Sequence, residues 1–282
     1  MAPELAGVLL GLGCSVAWAI ANVWIRRASR ELGNLRAMWW AQLAGSAVLV
    51  PLSLLLEGAW RWPTPSTLAI TGLASALGYY GMLRAFSAGP LAAVVPVVAS
   101  WSLPAVAAGY LWLGQVPTAG QLVGGGLVVL GSALNGRLAR GGEWSGSKLA
   151  AWLWAAASAV GFGAMTTGVA ELRGSFGEIG VVPATWAAQW VFLLPMLLRE
   201  PSILRPPERW TAVLGMAGFE AAGFVAYALA TSFAPVAVVS PPASLSTLFT
   251  VAFAALVLRE PVGLARWGCI LLVVAGILLL AG

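Results

Sequence analysis

Apolar runs of about 20 residues alternate with short polar connectors along the whole 282-residue chain. The runs fall at 4–25, 37–56, 67–87, 90–113, 119–138, 148–171, 179–198, 210–231, 235–258 and 262–281. Each is close to the ~20 residues that a helix needs to cross a bilayer core. Only helices and closed barrels satisfy every backbone polar group inside lipid. The pattern therefore predicts an all-α polytopic membrane protein with ten transmembrane helices. Connectors such as "SAGP" (87–90) and "SFAP" (232–235) are very short, and the longest polar link, "NGRLARGGEWSGSK" (135–148), lies at the midpoint. No basic residue precedes the first run, which is long enough to span, so it is read as a membrane helix and not as a cleaved signal peptide.

The two halves repeat each other. With a shift of 145 residues, "GPLAAVVP" (89–96) lies over "APVAVVSP" (234–241), so that Pro90 meets Pro235 and Pro96 meets Pro241. The same shift lays "LWLGQVP" (111–117) over "LVLREPV" (256–262). Earlier in each half the register drifts by a residue or two, and Gln42 then answers to Gln189 and Trp18 to Phe162. The expected organisation is a five-helix repeat over 1–138, a linker over 139–147 and a second repeat over 148–282. An odd number of spans forces the second copy to enter from the opposite side. The repeats are then inverted about an axis in the membrane plane, as in many secondary transporters.

Composition narrows the chemistry. The chain is 60% hydrophobic and 9% charged, with His and Asp both absent. That excludes zinc motifs, Ser-His-Asp hydrolysis and two-aspartate phosphate chemistry; neither a metal nor a cofactor is expected. Cys14 and Cys269 lie 255 residues apart in apolar runs and suggest neither a disulfide framework nor a metal site. The net charge of +5 sits in short connectors. It reads as a topology signal and not as a nucleic-acid footprint. Glycines such as 124–126 read as close-packing surfaces, since no strand precedes them and no Lys follows.

Several motifs resemble the drug/metabolite transporter superfamily, EamA type. They are the turns Leu113-Gly114-Gln115 and Leu258-Arg259-Glu260 before the last span of each half, the pair Trp18-Ala19, and "YYGMLRA" (79–85) leading to Pro90 and Pro96. Gln115 stands where that family usually has Glu, and Arg259 where it usually has Gly. The resemblance implies a transporter that exports amino acids, other metabolites or toxic compounds, usually by proton exchange. It also admits a sugar-nucleotide or sugar-phosphate exchanger, and leaves the substrate open.

Inverted-repeat carriers hold substrate near the midplane, often beside broken helices. The fourth run carries Pro96 and Pro104, and the ninth carries Pro241 and Pro242 followed by "ASLSTLFT". Ser100, Ser244, Ser246 and Thr247 are candidates to serve freed carbonyls or to touch substrate; the competing reading has the hydroxyls bonding their own backbone. In the eighth run Glu220, Phe224 and Tyr227 share one helix face, and the repeat maps them onto Ser75, Tyr79 and Met82. Trp18 with Asn22, and Phe162 with Thr166, are i, i+4 pairs on the first and sixth runs. Trp101 and Tyr79 lie deep enough to join them. Gln42 and Gln189 read as interhelical glue, and Trp60, Trp62, Trp144 and Trp210 as interfacial anchors.

Glu220 is the acid deepest within an apolar run. A charge at the bilayer centre costs about 2.5–3.5 kcal/mol, and intramembrane acids are functional by default. Glu220 is expected to bind a proton and a substrate ammonium in alternation. The structural alternatives are a protonated acid bonded to a neighbouring helix or an ion pair with Arg84. The partners expected are a small-molecule substrate, the bilayer of a cell membrane (inner or plasma) and protons, with no nucleic acid, and the carrier is expected to be monomeric. A channel and a lipid-carrier enzyme are the competing classes. The enzyme needs paired acids, His or Lys near one interface, whereas Glu220 stands alone at depth.

Orientation is contested. Thirteen Lys and Arg fall in the connectors 1–2, 3–4, 5–6, 7–8 and 9–10, against Arg61 and Arg173 opposite. The positive-inside rule then puts both termini outside the cytoplasm. The resemblance implies termini inside.

Overall fold

The computed structural model describes residues 3–89, 94, 97–114, 116, 118–138, 144, 147–246, 249 and 263–280. Among them the chain is helical throughout its apolar runs. The helices are α1 (Pro3–Leu32), α2 (Asn34–Leu56), α3 (Pro65–Ala88), α4 (Ser102–Leu113) and α5 (Ala119–Leu138). Next comes Lys148–Arg199, one stretch broken at Gly177, where φ is 79° and ψ 178°. We name its two sides α6 (148–176) and α7 (178–199). The rest are α8 (Thr211–Phe233), α9 (Val236–Ser244) and α10 (Leu264–Leu280). Among the described residues four stretches are long and apolar enough to cross a membrane: Pro3–Leu32, Asn34–Leu56, Lys148–Arg199 and Thr211–Phe233. Pro90, Pro96, Gln115, Thr247 and the turn Leu258-Arg259-Glu260 lie outside the described residues.

Several boundaries differ from the sequence expectation. Helix α1 runs on to Leu32, because its polar tail Arg26–Glu31 is still good helix-forming sequence, and Arg27 pairs with Glu31 one turn on at 3.0 Å. The connector expected at 172–178 shrinks to one residue, since the residues up to Phe176 stay helical. The fourth run opens α4 through a 3-10 turn, Ala99–Trp101, and Gly114 ends it with φ 68°, a left-handed cap.

Interhelical contacts sort the connectors to two ends. At one end Arg36 donates to the carbonyls of Arg205 (2.8 Å) and Pro206 (2.6 Å), Asn34 donates to Ser87 (3.2 Å), and Gly89 lies against Trp144. These tie the connectors 1–2, 7–8, 3–4 and 5–6 together. At the other end the Arg61 amide donates to the Ser175 carbonyl (2.8 Å), and Arg173 donates to Ser232 (2.7 Å), which donates to Glu178 (2.8 Å). These tie 2–3, 6–7 and 8–9. Helix α1 begins near Ala234, at the second end, whereas α6 begins near Gly89, at the first. The two counterparts therefore run in opposite directions.

Packing follows the same symmetry. Helix α1 packs most extensively on α8, its counterpart α6 packs on α3, and α5 packs on α10. The ring of Trp18 meets Phe224 edge-on at 5.0 Å, while Phe162 meets Tyr79 edge-on at 5.1 Å. In each pair a glycine precedes the α3 or α8 aromatic, and a side chain added at Gly223 or Gly78 would strike the opposing ring. The 145-residue shift carries Gly78-Tyr79 onto Gly223-Phe224. The repeat is thus expressed in side-chain packing as well as in helix order.

Gly177 is required by its backbone and its neighbour. The Glu57 carboxylate accepts from the Ile179 amide (2.8 Å) and the Gly180 amide (3.1 Å), capping the start of α7. A Cβ on Gly177 would collide with that carboxylate. Gly177→Ala is expected to destabilise the fold by about 2 kcal/mol, combining a backbone region reserved for glycine with a lost cap. Thermal unfolding in detergent checks this, and an unchanged melting temperature refutes it.

Both described ends of the chain lie at the sparsely basic end, with Gly7 beside Ala234 and Leu279 beside Gly120 in the first turn of α5. The charge rule then predicts that alkaline phosphatase fused after Gly282 is active outside the cytoplasm while a fluorescent protein fused there is dark. The reverse pattern places the termini inside.

Candidate functional site

Helix α8 contains neither Pro nor a charge other than Glu220, so its apolar turns run unbroken through Thr211–Phe233 and carry that acid at mid-length. Glu220 is 3% exposed. The Tyr79 hydroxyl of α3 donates a short hydrogen bond to Glu220 Oε1. Glu220 Oε2 is buried and has no partner among the described residues. The ion pair with Arg84 is not formed. Arg84 is exposed, with its guanidinium 6.0 Å from the ring centres of Tyr80 and Trp154. Its place near the end of α3 turns it away from the buried face.

An aromatic cluster begins at Phe224, one turn along α8 from the acid. Trp18 contacts Phe224, Trp101 (5.9 Å, edge-on) and Tyr227 (6.2 Å, stacked), and Trp101 also meets Tyr227 at 6.0 Å. Trp186 of α7 closes on Phe224 from another side at 6.2 Å. The Tyr227 hydroxyl shares a hydrogen bond with Ser240 of α9 (2.8 Å). The Trp18 indole nitrogen is buried with no acceptor among the described residues.

Beneath Tyr79 lies a polar layer from α2, α3 and α7. Ser75 donates to Gln189 Oε1 (2.6 Å), Gln189 Nε2 donates to Gln42 Oε1 (3.1 Å), and the Trp190 indole donates to the same oxygen (2.6 Å). The Gln42 amide nitrogen is buried with no hydrogen-bond partner among the described residues. The two glutamines join α2 to α7, as expected of interhelical glue.

Of the predicted site residues, Glu220, Phe224, Tyr227, Tyr79, Trp18, Trp101 and Phe162 fall into one connected cluster. Thr166 sits beside the Tyr227 hydroxyl, but its own hydroxyl donates to the carbonyls of Phe162 (2.9 Å) and Gly163 (3.0 Å). Ser100 donates to the Val97 carbonyl (2.6 Å) and Ser244 to the Pro241 carbonyl (2.9 Å), each three residues back on its own strand of helix. Asn22 is half-buried one turn beyond Trp18 on α1. Three contributors escaped sequence reasoning: Trp186, Ser240 and Ser15. Ser15 donates to the carbonyls of Pro242 (2.7 Å) and Ala243 (3.0 Å) at the end of α9 and so ties α1 to that helix. A small polar residue inside the first run was the one available signal.

Among the described residues no group of His, Cys, Asp and Glu is placed to hold a metal. Cys14 and Cys269 are both buried free thiols. The cluster can offer a carboxyl oxygen for a proton or a cation, an indole N–H for an acceptor, and ring faces for an apolar or cationic body.

Comparison with known proteins agrees with the two-repeat architecture. A solved structure described as "Crystal structure of protein" superposes with a TM-score of 0.73 at 17% identity, covering 98% of this chain and 97% of that one, a likeness of fold alone. No curated protein matches. The sequence model of the EamA-like transporter family matches twice, over residues 5–137 and 149–282. The chain belongs to the EamA-like transporter family, a multi-pass membrane transporter family of the drug/metabolite transporter superfamily.

Proposed function

We propose that this protein is a proton-coupled secondary transporter that exports small amphipathic amines or amino acids across the cell membrane. The reading takes ten spans in two inverted five-helix repeats, 1–138 and 148–282, joined by a linker at 139–147 and acting as a monomer by alternating access. One observation carries it. A buried carboxyl at mid-helix is held through one oxygen by a tyrosine of the opposite repeat, while its other oxygen has no protein partner among the described residues. That free oxygen can take a proton or a substrate ammonium, but not both. Competition for one site is what couples the two fluxes.

The surroundings favour a cation over an anion. Among the described residues no Lys or Arg pairs with Glu220, and Arg84, the basic residue nearest a helix interior in α3, faces outward. A phosphate-bearing sugar nucleotide would bring two or more negative charges to a carboxyl with no compensating base. The aromatic faces of Trp18, Trp101 and Tyr227 suit a cationic head group instead.

Uptake into proteoliposomes under an imposed pH gradient tests the proposal, using labelled amino acids and aromatic amines. The expected outcome is saturable uptake that collapses when the gradient is dissipated, together with counterflow of labelled substrate. Flux indifferent to the gradient overturns proton coupling. Flux without saturation or counterflow makes the protein a channel.

A further inference from the structure

The Trp18 indole is placed by a feature that neither packing nor helix glue accounts for. Its ring lies over Gly223, with Nε1 only 2.5 Å from where a Cβ on that glycine would stand. A glycine is therefore needed for the indole to reach α8 at all. Yet the N–H so placed donates to nothing among the described residues. Leaving a buried donor unsatisfied destabilises the fold, because the desolvation of that group is not repaid. Phe162, the counterpart on α6, fills the matching position over Gly78 with a ring that has no donor. The donor is thus an asymmetric addition to a symmetric pair. So is Glu220, whose counterpart is Ser75.

The two asymmetric groups stand together. Gly223 lies three residues beyond Glu220, so they share a face of α8 and are separated by about 4.5 Å of helix rise. The residue that carries the unpartnered oxygen and the glycine over which the unpartnered nitrogen lies are thus about one turn apart on α8.

We infer that Trp18 Nε1 reads a hydrogen-bond acceptor on the transported molecule while Glu220 Oε2 holds its ammonium. Trp18 is then a specificity-determining residue, and the preferred substrate carries a carboxylate or carbonyl oxygen on the carbon next to the amine-bearing carbon. A plain amine satisfies Glu220 and leaves the indole donor unmet. The inference rests on Glu220 as the cation site and adds the second pole.

Three probes that share a phenyl body separate the possibilities: L-phenylalanine, L-phenylalanine amide and phenethylamine. Each is titrated calorimetrically into the purified full chain in detergent. Wild type is expected to bind the first two about tenfold more tightly than phenethylamine, the worth of one neutral hydrogen bond. Trp18→Phe keeps a ring against Phe224 and Tyr227, removes the N–H, and brings the three probes to parity with one another. A charged carboxylate pole is indicated when phenylalanine exceeds its amide, and a carbonyl pole when the two are equal; either supports the inference. It is overturned by equal binding of the three probes to wild type, by an equal loss of all three in Trp18→Phe, or by binding of none. The wild-type series decides without any variant, so a misfolded Trp18→Phe does not shelter the idea. Phenethylamine binding that survives Glu220→Gln removes the cation site itself, a different failure from loss of acceptor discrimination.

Discussion

Glu220→Gln is expected to lose gradient-driven uptake almost completely and to keep its fold. The substitution is close to isosteric. Gln offers a carbonyl oxygen where Glu220 Oε1 accepts from the Tyr79 hydroxyl, so the bridge between α8 and α3 persists. It places an amide nitrogen where Oε2 has no partner among the described residues, so no protein bond is broken. What disappears is the ability to take up and release a proton and to hold an ammonium by charge. A hydrogen bond to a charged group contributes about 1.5–3 kcal/mol, which corresponds to about 10- to 150-fold in affinity. The proton-driven component has no substitute and should fall to the level of empty liposomes. The melting temperature and gel-filtration profile should match wild type. Glu220→Asp sharpens the test: it keeps the carboxyl, draws it back from Tyr79, and should retain a weak gradient-driven flux. Full transport by Glu220→Gln with unchanged pH dependence makes Glu220 a structural acid. Attention then passes to Trp18, Tyr79 and the proline-bearing α9.

How far the sequence reaches is visible residue by residue. The apolar runs were legible because lipid demands apolar length, and that demand leaves a mark on every turn. Their ends were less so. The stretch 172–178 reads as a connector by composition, yet composition reports contact with water and not backbone angles, and the chain stays helical to Phe176. The mate of Glu220 was reachable because the repeat maps its face onto Ser75, Tyr79 and Met82, and opposed counterparts meet in an inverted duplication. Tyr79 is the one that arrived. Arg84 failed because charge complementarity says nothing about helix rotation, and its side chain points away from the buried face. Ser15 and Ser240 were invisible for a related reason. A lone serine in an apolar run has no periodicity, and its partner is fixed by a helix crossing that one sequence does not encode locally. The asymmetry of the pair Trp18 and Phe162 was legible as letters. Its meaning needed Gly223 and the unpaired indole.

The helix crossing that sets the site should also be the most fragile point in the fold. Gly161 of α6 meets Gly78 of α3 backbone to backbone. A Cβ on Gly161 would overlap the Gly78 amide nitrogen and stand 2.7 Å from the Ala74 carbonyl oxygen. No side chain is there to swing aside, so the helices themselves must part. In a bilayer such small-residue crossings supply much of the helix association, since burial of apolar surface against lipid contributes little. Gly161→Ala is therefore expected to destabilise the fold by about 3 kcal/mol, the upper end of ordinary overpacking. The loss reaches the site, because Phe162 and Tyr79 adjoin the two glycines, and Tyr79 carries the bond to Glu220. Protein that still folds should transport poorly. Gly218→Ala on α8 is the control. A Cβ there meets nothing within 4 Å, and alanine is the better helix former by about 1 kcal/mol. Its melting temperature should equal or exceed wild type. If Gly161→Ala melts with Gly218→Ala instead, the crossing has slack, and the hold of α3 on Glu220 does not depend on it.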